Sequence, residues 1–145
     1  MLSFSVYGLC TNNLLTMFFY LPTMPEEIPQ QLQDQIARLQ QLRSQLQMIV
    51  QQRQQVEIRL KELEHAIEEV EKLEGKGEIY RSIGSLLIKV ENKDKLLEEL
   101  KEDKETYELR KTTLEKQEER IKEKLSELQN RLEDALKTAR KAQGA

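Results

Sequence analysis

The side chains of this chain that could do chemistry are few and poorly grouped. His65 is its single histidine and Cys10 its single cysteine. One of each cannot make a tetrahedral zinc site, and one cysteine cannot close a disulfide within the chain. Carboxylate pairs are common, as at Glu68-Glu69 and Glu118-Glu119. General acid–base catalysis needs such groups aimed at one substrate, whereas neighbours in a run of Glu and Lys are solubilising charge on a helix surface. No Gly-rich loop followed by Lys-Ser or Lys-Thr offers a cradle for phosphates. The residues therefore read as those of a protein that is not an enzyme and takes no cofactor or metal. Charge also argues against nucleic acid: 23 basic residues are offset by 26 acidic ones, for a net −3, so the basic footprint is missing. A basic-zipper arrangement would need Lys and Arg clustered ahead of the heptads, but Glu26 to Gln52 holds just Arg38 and Arg43.

The elements that carry these residues are read from composition and period. Of 145 residues, 34% are charged and 5% aromatic, with no Trp, five Gly and three Pro. Too few bulky side chains and turn residues remain for a sandwich, a barrel or an α/β enzyme, and the balance fits long helices or a coiled coil. The average hides a boundary. No charged residue precedes Glu26, and five of the seven aromatics (Phe4, Tyr7, Phe18, Phe19, Tyr20) lie in that opening stretch. As a signal peptide it lacks a basic start, and Asn12-Asn13 interrupts the apolar run. As a membrane span, Leu2 to Leu21 has the length but is diluted by Ser, Thr and paired Asn. The expectation is that residues 1–24 are a surplus, disordered start ahead of Met17 or Met24. Residues 25–145 then form the working domain, with no membrane involvement.

Within that domain, every seventh residue from Leu32 gives Leu32, Leu39, Leu46, Arg53, Leu60 and Ile67. Three residues on lie Gln35, Leu42, Ile49, Val56, Leu63 and Val70. Ten of these twelve are apolar over six heptads, which predicts a coiled-coil helix over 29–74. Pro29 opens it, Glu26 and Glu27 favour its positive end, and Gly75 and Gly77 stop it. A second helix is predicted over 93–140, with Asn92 as its N-cap. Its seams are Leu100, Tyr107, Leu114, Ile121, Leu128, Ala135 and Leu97, Lys104, Lys111, Glu118, Leu125, Leu132, Ala139. Between the helices the period changes to 2. Glu78–Ser82 and Leu86–Val90, separated by Ile83-Gly84-Ser85, read as one β-hairpin.

A hairpin folds the helices back antiparallel, so facing residue numbers must share a constant sum. They do: Leu32 with Ala135, Leu39 with Leu128, Leu46 with Ile121, Leu60 with Tyr107 and Ile67 with Leu100. The fold class is thus all-α dominated: a long antiparallel two-helix coiled coil joined by one short β-hairpin. The polar intrusions predict that Arg53 and Glu118 pair at mid-coil and fix register. Lys104 and Lys111 should lay their stems over Leu63 and Val56.

Two surfaces are left over. An isolated hairpin is marginal and has open edges, and Ile79, Tyr80, Ile83, Leu86, Leu87, Ile88 and Val90 around Gly84 exceed what two helix ends could cover. The hairpin is expected to assemble with hairpins of other subunits. At the far end, Ile28, Leu32, Ile36 and Leu39 meet Leu128, Leu132, Leu136, Ala135 and Ala139. The bland reading widens the coil's own stripe, and the functional one offers an apolar tip to a client. Twelve Gln between Gln30 and Gln55 give the first helix an uncharged polar surface near that tip.

This pattern resembles the prefoldin family, and specifically its beta-type subunit. The likeness lies in the helix–hairpin–helix order, the string Ile79-Tyr80-Arg81-Ser82-Ile83-Gly84-Ser85-Leu86-Leu87-Ile88-Lys89-Val90, the segment Leu114-Glu115-Lys116-Gln117-Glu118-Glu119-Arg120, and the Gln-rich first helix. It covers roughly Pro25 to Ala142. An alpha-type subunit would carry two hairpins, and Gly75 to Asn92 has room for one. The resemblance implies an ATP-independent chaperone in the cytoplasm, a hexamer of two alpha and four beta subunits. It also implies that unfolded clients are held between arm tips and passed to a group II chaperonin. The rival is a coiled-coil tether or spacer that binds no client.

Overall fold

The computed structural model describes residues 29–144. Four elements follow in order: α1 (Gln30–Lys72), β1 (Tyr80–Ile83), β2 (Leu86–Lys89) and α2 (Lys93–Gln143). With 43 and 51 residues, the helices extend about 65 and 75 Å. Ile28 and residues 1–24, including the expected surplus start, lie outside the described residues, as do Glu26 and Glu27.

Helix ends follow from local chemistry. Pro29 precedes α1 without a side-chain cap, and its carbonyl accepts from the N–H groups of Leu32 (2.8 Å) and Gln33 (3.2 Å). The heptads carried this helix to residue 74, but it stops at Lys72. The left-handed turn begins one residue ahead of the glycines, at Glu74 (φ 39°), and continues at Gly75 (78°). Asn92 caps α2, its side chain accepting from the Lys95 N–H at 3.0 Å. Asp94 in the first turn and Arg140 and Lys141 in the last complement the helix dipole. This helix continues past 140 to Gln143, because Lys141, Ala142 and Gln143 are helix formers and Gly144 is the first residue that is not.

The two helices pack antiparallel along the expected seams. Near the tip Leu39, Leu125 and Leu132 form one buried cluster, with Leu32, Ile36, Leu42, Leu46, Ile121 and Leu128 against it. Nearer the hairpin Val56, Leu60 and Leu114 form another, flanked by Ile49 and Tyr107. Ion pairs cross between helices at Glu57–Lys111 (3.9 Å), Glu64–Lys104 (3.3 Å) and Glu71–Lys101 (2.9 Å). Lys104 and Lys111 are half-buried, and Leu63 and Val56 are buried.

The strands pair antiparallel with Tyr80 opposite Lys89, Arg81 opposite Ile88, Ser82 opposite Leu87 and Ile83 opposite Leu86. Ile83 is therefore in the ladder, not in the connection where the sequence put it. The turn is Gly84-Ser85 alone, with Gly84 at φ 59°. Glycine first, with a positive φ, matches the two-residue turn whose twist suits antiparallel strands. The strands are shorter than 78–82 and 86–90, although Val90 N–H still donates to the Ile79 carbonyl at 2.8 Å.

Candidate functional site

The hairpin register sorts its side chains onto two faces, because successive residues alternate and cross-strand partners share a side. One face carries Ile79, Arg81, Ile83, Leu86, Ile88 and Val90. The other carries Tyr80, Ser82, Leu87 and Lys89. All eight strand residues are exposed, including Ile83 at 53%, Leu86 at 64%, Leu87 at 72% and Ile88 at 49%. A soluble monomer seldom presents so dense an apolar patch. Among the described residues, both outer edges of this two-stranded sheet also lack a neighbouring strand. On the second face the Tyr80 hydroxyl donates to Glu78 at 2.7 Å and Lys89 Nζ donates to the same carboxylate at 2.6 Å. Those two bonds, Lys89's first, hold the Glu78 carboxyl below its ordinary range, and the acceptor raises the Tyr80 phenol.

At the tip the expected residues divide. Leu39 and Leu132 are 3% and 2% exposed. Their side chains close the coil itself, so neither is available to a client in this conformation. Leu32, Ile36, Leu128 and Leu136 are half-buried, and Ala135 and Ala139 are exposed. Ala135 leaves its seam position open because a methyl is too short to reach across to half-buried Leu32. Of the described tip residues, those that reach solvent are Leu32, Ile36, Leu128, Leu136 and the two alanines.

At mid-coil Arg53 Nε donates to Glu118 Oε2 at 2.7 Å, and Lys122 Nζ donates to Oε1 of the same carboxylate at 2.6 Å. Glu118 is the one buried charged residue among those described. Bonds from Lys122 first and Arg53 second hold its carboxyl below the ordinary range, against the opposing effect of burial. Arg53 also donates to Glu57 at 2.7 Å, and both acceptors raise its guanidinium. The pair lies between the two apolar clusters and interrupts them.

Sequence reasoning missed two features at the hairpin end. Leu96 is 8% exposed though it belongs to neither heptad seam. It lines a cleft of about 400 Å³ with Ile83, Ile88 and Val90, so its burial comes from the returning hairpin. Arg81 Nη2 donates to Glu99 Oε2 at 2.8 Å. Only the hairpin register, with Arg81 on the side facing α2, could have suggested that bond. His65 is exposed, and among the described residues no group of three or more His, Cys, Asp or Glu could hold a metal. No described helix is long and apolar enough to cross a membrane.

This geometry has counterparts among known proteins. A family model described as "Prefoldin subunit" matches residues 33–139. The prefoldin subunit beta of Archaeoglobus fulgidus is 44% identical over 110 residues, covering 76% of this chain and 94% of its own. That of Methanocella arvoryzae is 51% identical over 110 residues, covering 76% and 86%. The crystal structure of the prefoldin beta subunit from Thermococcus strain KS-1 superposes with a TM-score of 0.67 at 41% identity, covering 76% of this chain and 96% of that one. With the family model spanning most of the chain and the single-hairpin coil common to sequence and structure, the chain belongs to the prefoldin family, as a beta-type chaperone subunit.

Proposed function

We propose that this chain assembles through its hairpin with alpha-type subunits and further copies of itself, as a hexamer of two alpha and four beta. Its coiled coil then projects as an arm whose tip holds unfolded proteins without ATP and passes them to a group II chaperonin in the cytoplasm. The observation that carries this reading is the separation of two apolar surfaces by the length of the coil. The hairpin, apolar and exposed on its strands, is at one end, and half-buried Leu32, Ile36 and Leu136 are at the other. One surface suits permanent pairing, because strand edges and a flat apolar face can be shared among subunits. The other suits reversible grip.

Magnitudes favour a grip by several arms. A tip burying a few hundred Å² gains several kcal/mol gross at ~25 cal/mol per Å², before the entropy of association is subtracted. Each tip alone should therefore bind weakly. Several tips on one client raise the effective concentration of the rest, so the ensemble holds firmly while each contact stays releasable. No nucleotide is needed for release on this account.

The test is suppression of aggregation of a chemically unfolded protein by this chain mixed with an alpha-type subunit. Changing Leu32, Ile36 and Leu136 together to Ser should abolish suppression while leaving the assembly's mass unchanged. Full suppression by that variant would refute the tip assignment, and no suppression by the unaltered assembly would favour a tether without clients.

A further inference from the structure

The joint between hairpin and arm is thin. Among the described elements α1 runs against α2 and β1 against β2, while no Cα of either strand comes within 8 Å of a helix Cα, so strand and helix meet through side chains at the cleft around Leu96. The two connections across the joint also differ. From α1 to β1 the chain passes through Glu74, Gly75 and Gly77, all at positive φ, and nothing crowds Gly75. From β2 to α2 it passes through Val90-Glu91-Asn92 only. Val90 N–H is still held by the Ile79 carbonyl at 2.8 Å, and Asn92 already caps α2. One residue, Glu91, therefore separates ladder from helix. The hairpin is thus joined to α2 by three residues, Val90 to Asn92, and to α1 by seven, two of them glycines at positive φ.

We propose that the Arg81–Glu99 ion pair is a brace that sets the angle between hairpin and arm. It makes hairpin and α2 one lever, while α1 follows through its glycines. The Arg81–Glu99 bond is the one side-chain bond between strands and helices among the described residues, at 2.8 Å. Arg81 and Glu99 both line the cleft that holds Ile83, Ile88, Val90 and Leu96. Arg81 is also the single charge on the hairpin's apolar face. If that face packs against another subunit, a lone cation there is costly, and Glu99 supplies its counter-charge from the same chain.

An exposed ion pair biases a population by only about 1.5- to 5-fold. That is enough where the other side-chain contact across the joint is the small cleft around Leu96. The role in assembly rests on the reading of the hairpin as the assembly element. There the same bias would recur in every arm of this type and set how widely the tips stand apart. Arg81 and Glu99 are in that sense positioning residues and need not touch a client.

The test is a spin-label distance measurement on the full chain, alone and with an alpha-type subunit. Labels go on Ser85→Cys and Glu105→Cys in a Cys10→Ser background. The unaltered pair should give a narrower distance distribution than either single reversal. Arg81→Glu or Glu99→Arg alone should broaden it, lowering the braced-to-free ratio by about 1.5- to 5-fold or more. The double reversal should restore the narrow distribution. Raising salt to about 1 M, where the screening length falls to ~3 Å, should broaden the unaltered pair and the double reversal. Equal widths in all four proteins, or a double reversal that stays broad, would overturn the brace. The isolated chain gives this answer whether or not it assembles. Mass measured on the same mixtures decides the assembly reading separately.

Discussion

Coil and hairpin solve the same problem in opposite ways. The coil buries its own leucines: Leu39, Leu63 and Leu132 are 2–3% exposed, and each apolar stripe finds the other through the turn of the chain. The hairpin carries a comparable density of Ile and Leu and hides almost none of it. The difference lies in what each element can reach. A helix of this length has an antiparallel neighbour along its whole apolar stripe. A four-residue strand pair has two faces and two outer edges, and among the described residues it meets the coil at the cleft around Leu96 and the Arg81–Glu99 bond. An element that is complete by itself is an arm, and one that is not is a contact.

The largest expected effect breaks the contact and spares the arm. Ile79→Asp with Ile88→Asp places two carboxylates on the face assigned to assembly, each at a cost of several kcal/mol if buried unpaired. Native mass spectrometry with an alpha-type partner should then find separate subunits, while circular dichroism finds the helicity nearly unchanged. A hexamer that survives both changes would mean that the hairpin's apolar face is not the assembly surface.

Next comes the reverse experiment on the coil. Leu132→Ala removes a fully buried side chain at the centre of the tip cluster and should lower stability by about 2–5 kcal/mol. Thermal and urea unfolding measure it. Leu87→Ala, at 72% exposure, should change the same curves by no more than about 0.5 kcal/mol. If the two leucines weigh equally in the isolated chain, the division between self-sufficient and dependent regions is wrong.

The coil was more legible in the sequence than the hairpin for the same reason. Heptads state in one dimension which residues face a partner helix: the constant sum across Gly84 places Leu60 beside Tyr107, and sets Arg53 and Glu118 in adjacent layers. The short hairpin carries no such redundancy, so Ile83 fell on the wrong side of a turn that the Gly84 backbone tightens to two residues. Burial of Leu96 and the reach of Arg81 to Glu99 depend on how the hairpin leans over α2, which no periodicity encodes. At the tip the heptad stripe does not separate Leu39 and Leu132, which close the coil, from Leu32 and Ile36, which border solvent. Both kinds occupy the same heptad stripe, and only the geometry of closure distinguishes them.

A smaller effect tests the polar layer inside the coil. In the folded protein the Glu118 carboxyl lies below its ordinary 4.5, chiefly through Lys122 and then Arg53. A depressed folded value means that the ionised form favours folding. That contribution is present above the ordinary value and is lost as pH falls through the folded one. Arg53 stays charged throughout. The urea midpoint of the unaltered chain should therefore drop between about pH 5 and about pH 3, and the midpoint of Glu118→Gln should drop less. Glu68 and Glu78, also held low, titrate in both proteins, so the difference between the curves belongs to Glu118. Parallel curves would mean that the mid-coil pair contributes nothing through its charge.

The smallest expected effect is the most discriminating for the coil's outer surface. Leu109 is 71% exposed and sits opposite the seam, whereas Leu114, five residues on, is 6% exposed inside it. Exposure and not residue type should decide their weight. Leu109→Gln is expected to shift unfolding by less than about 0.5 kcal/mol, whereas Leu114→Ala should cost about 2–5 kcal/mol. Aggregation suppression gives Leu109 a second meaning. If Leu109→Gln leaves suppression intact, the arm's outer face is only solvated surface and the grip belongs to the tip. If suppression falls while mass and stability hold, clients lie along the shaft as well. The arm would then share with the hairpin the property that separates them here, an apolar surface awaiting a partner.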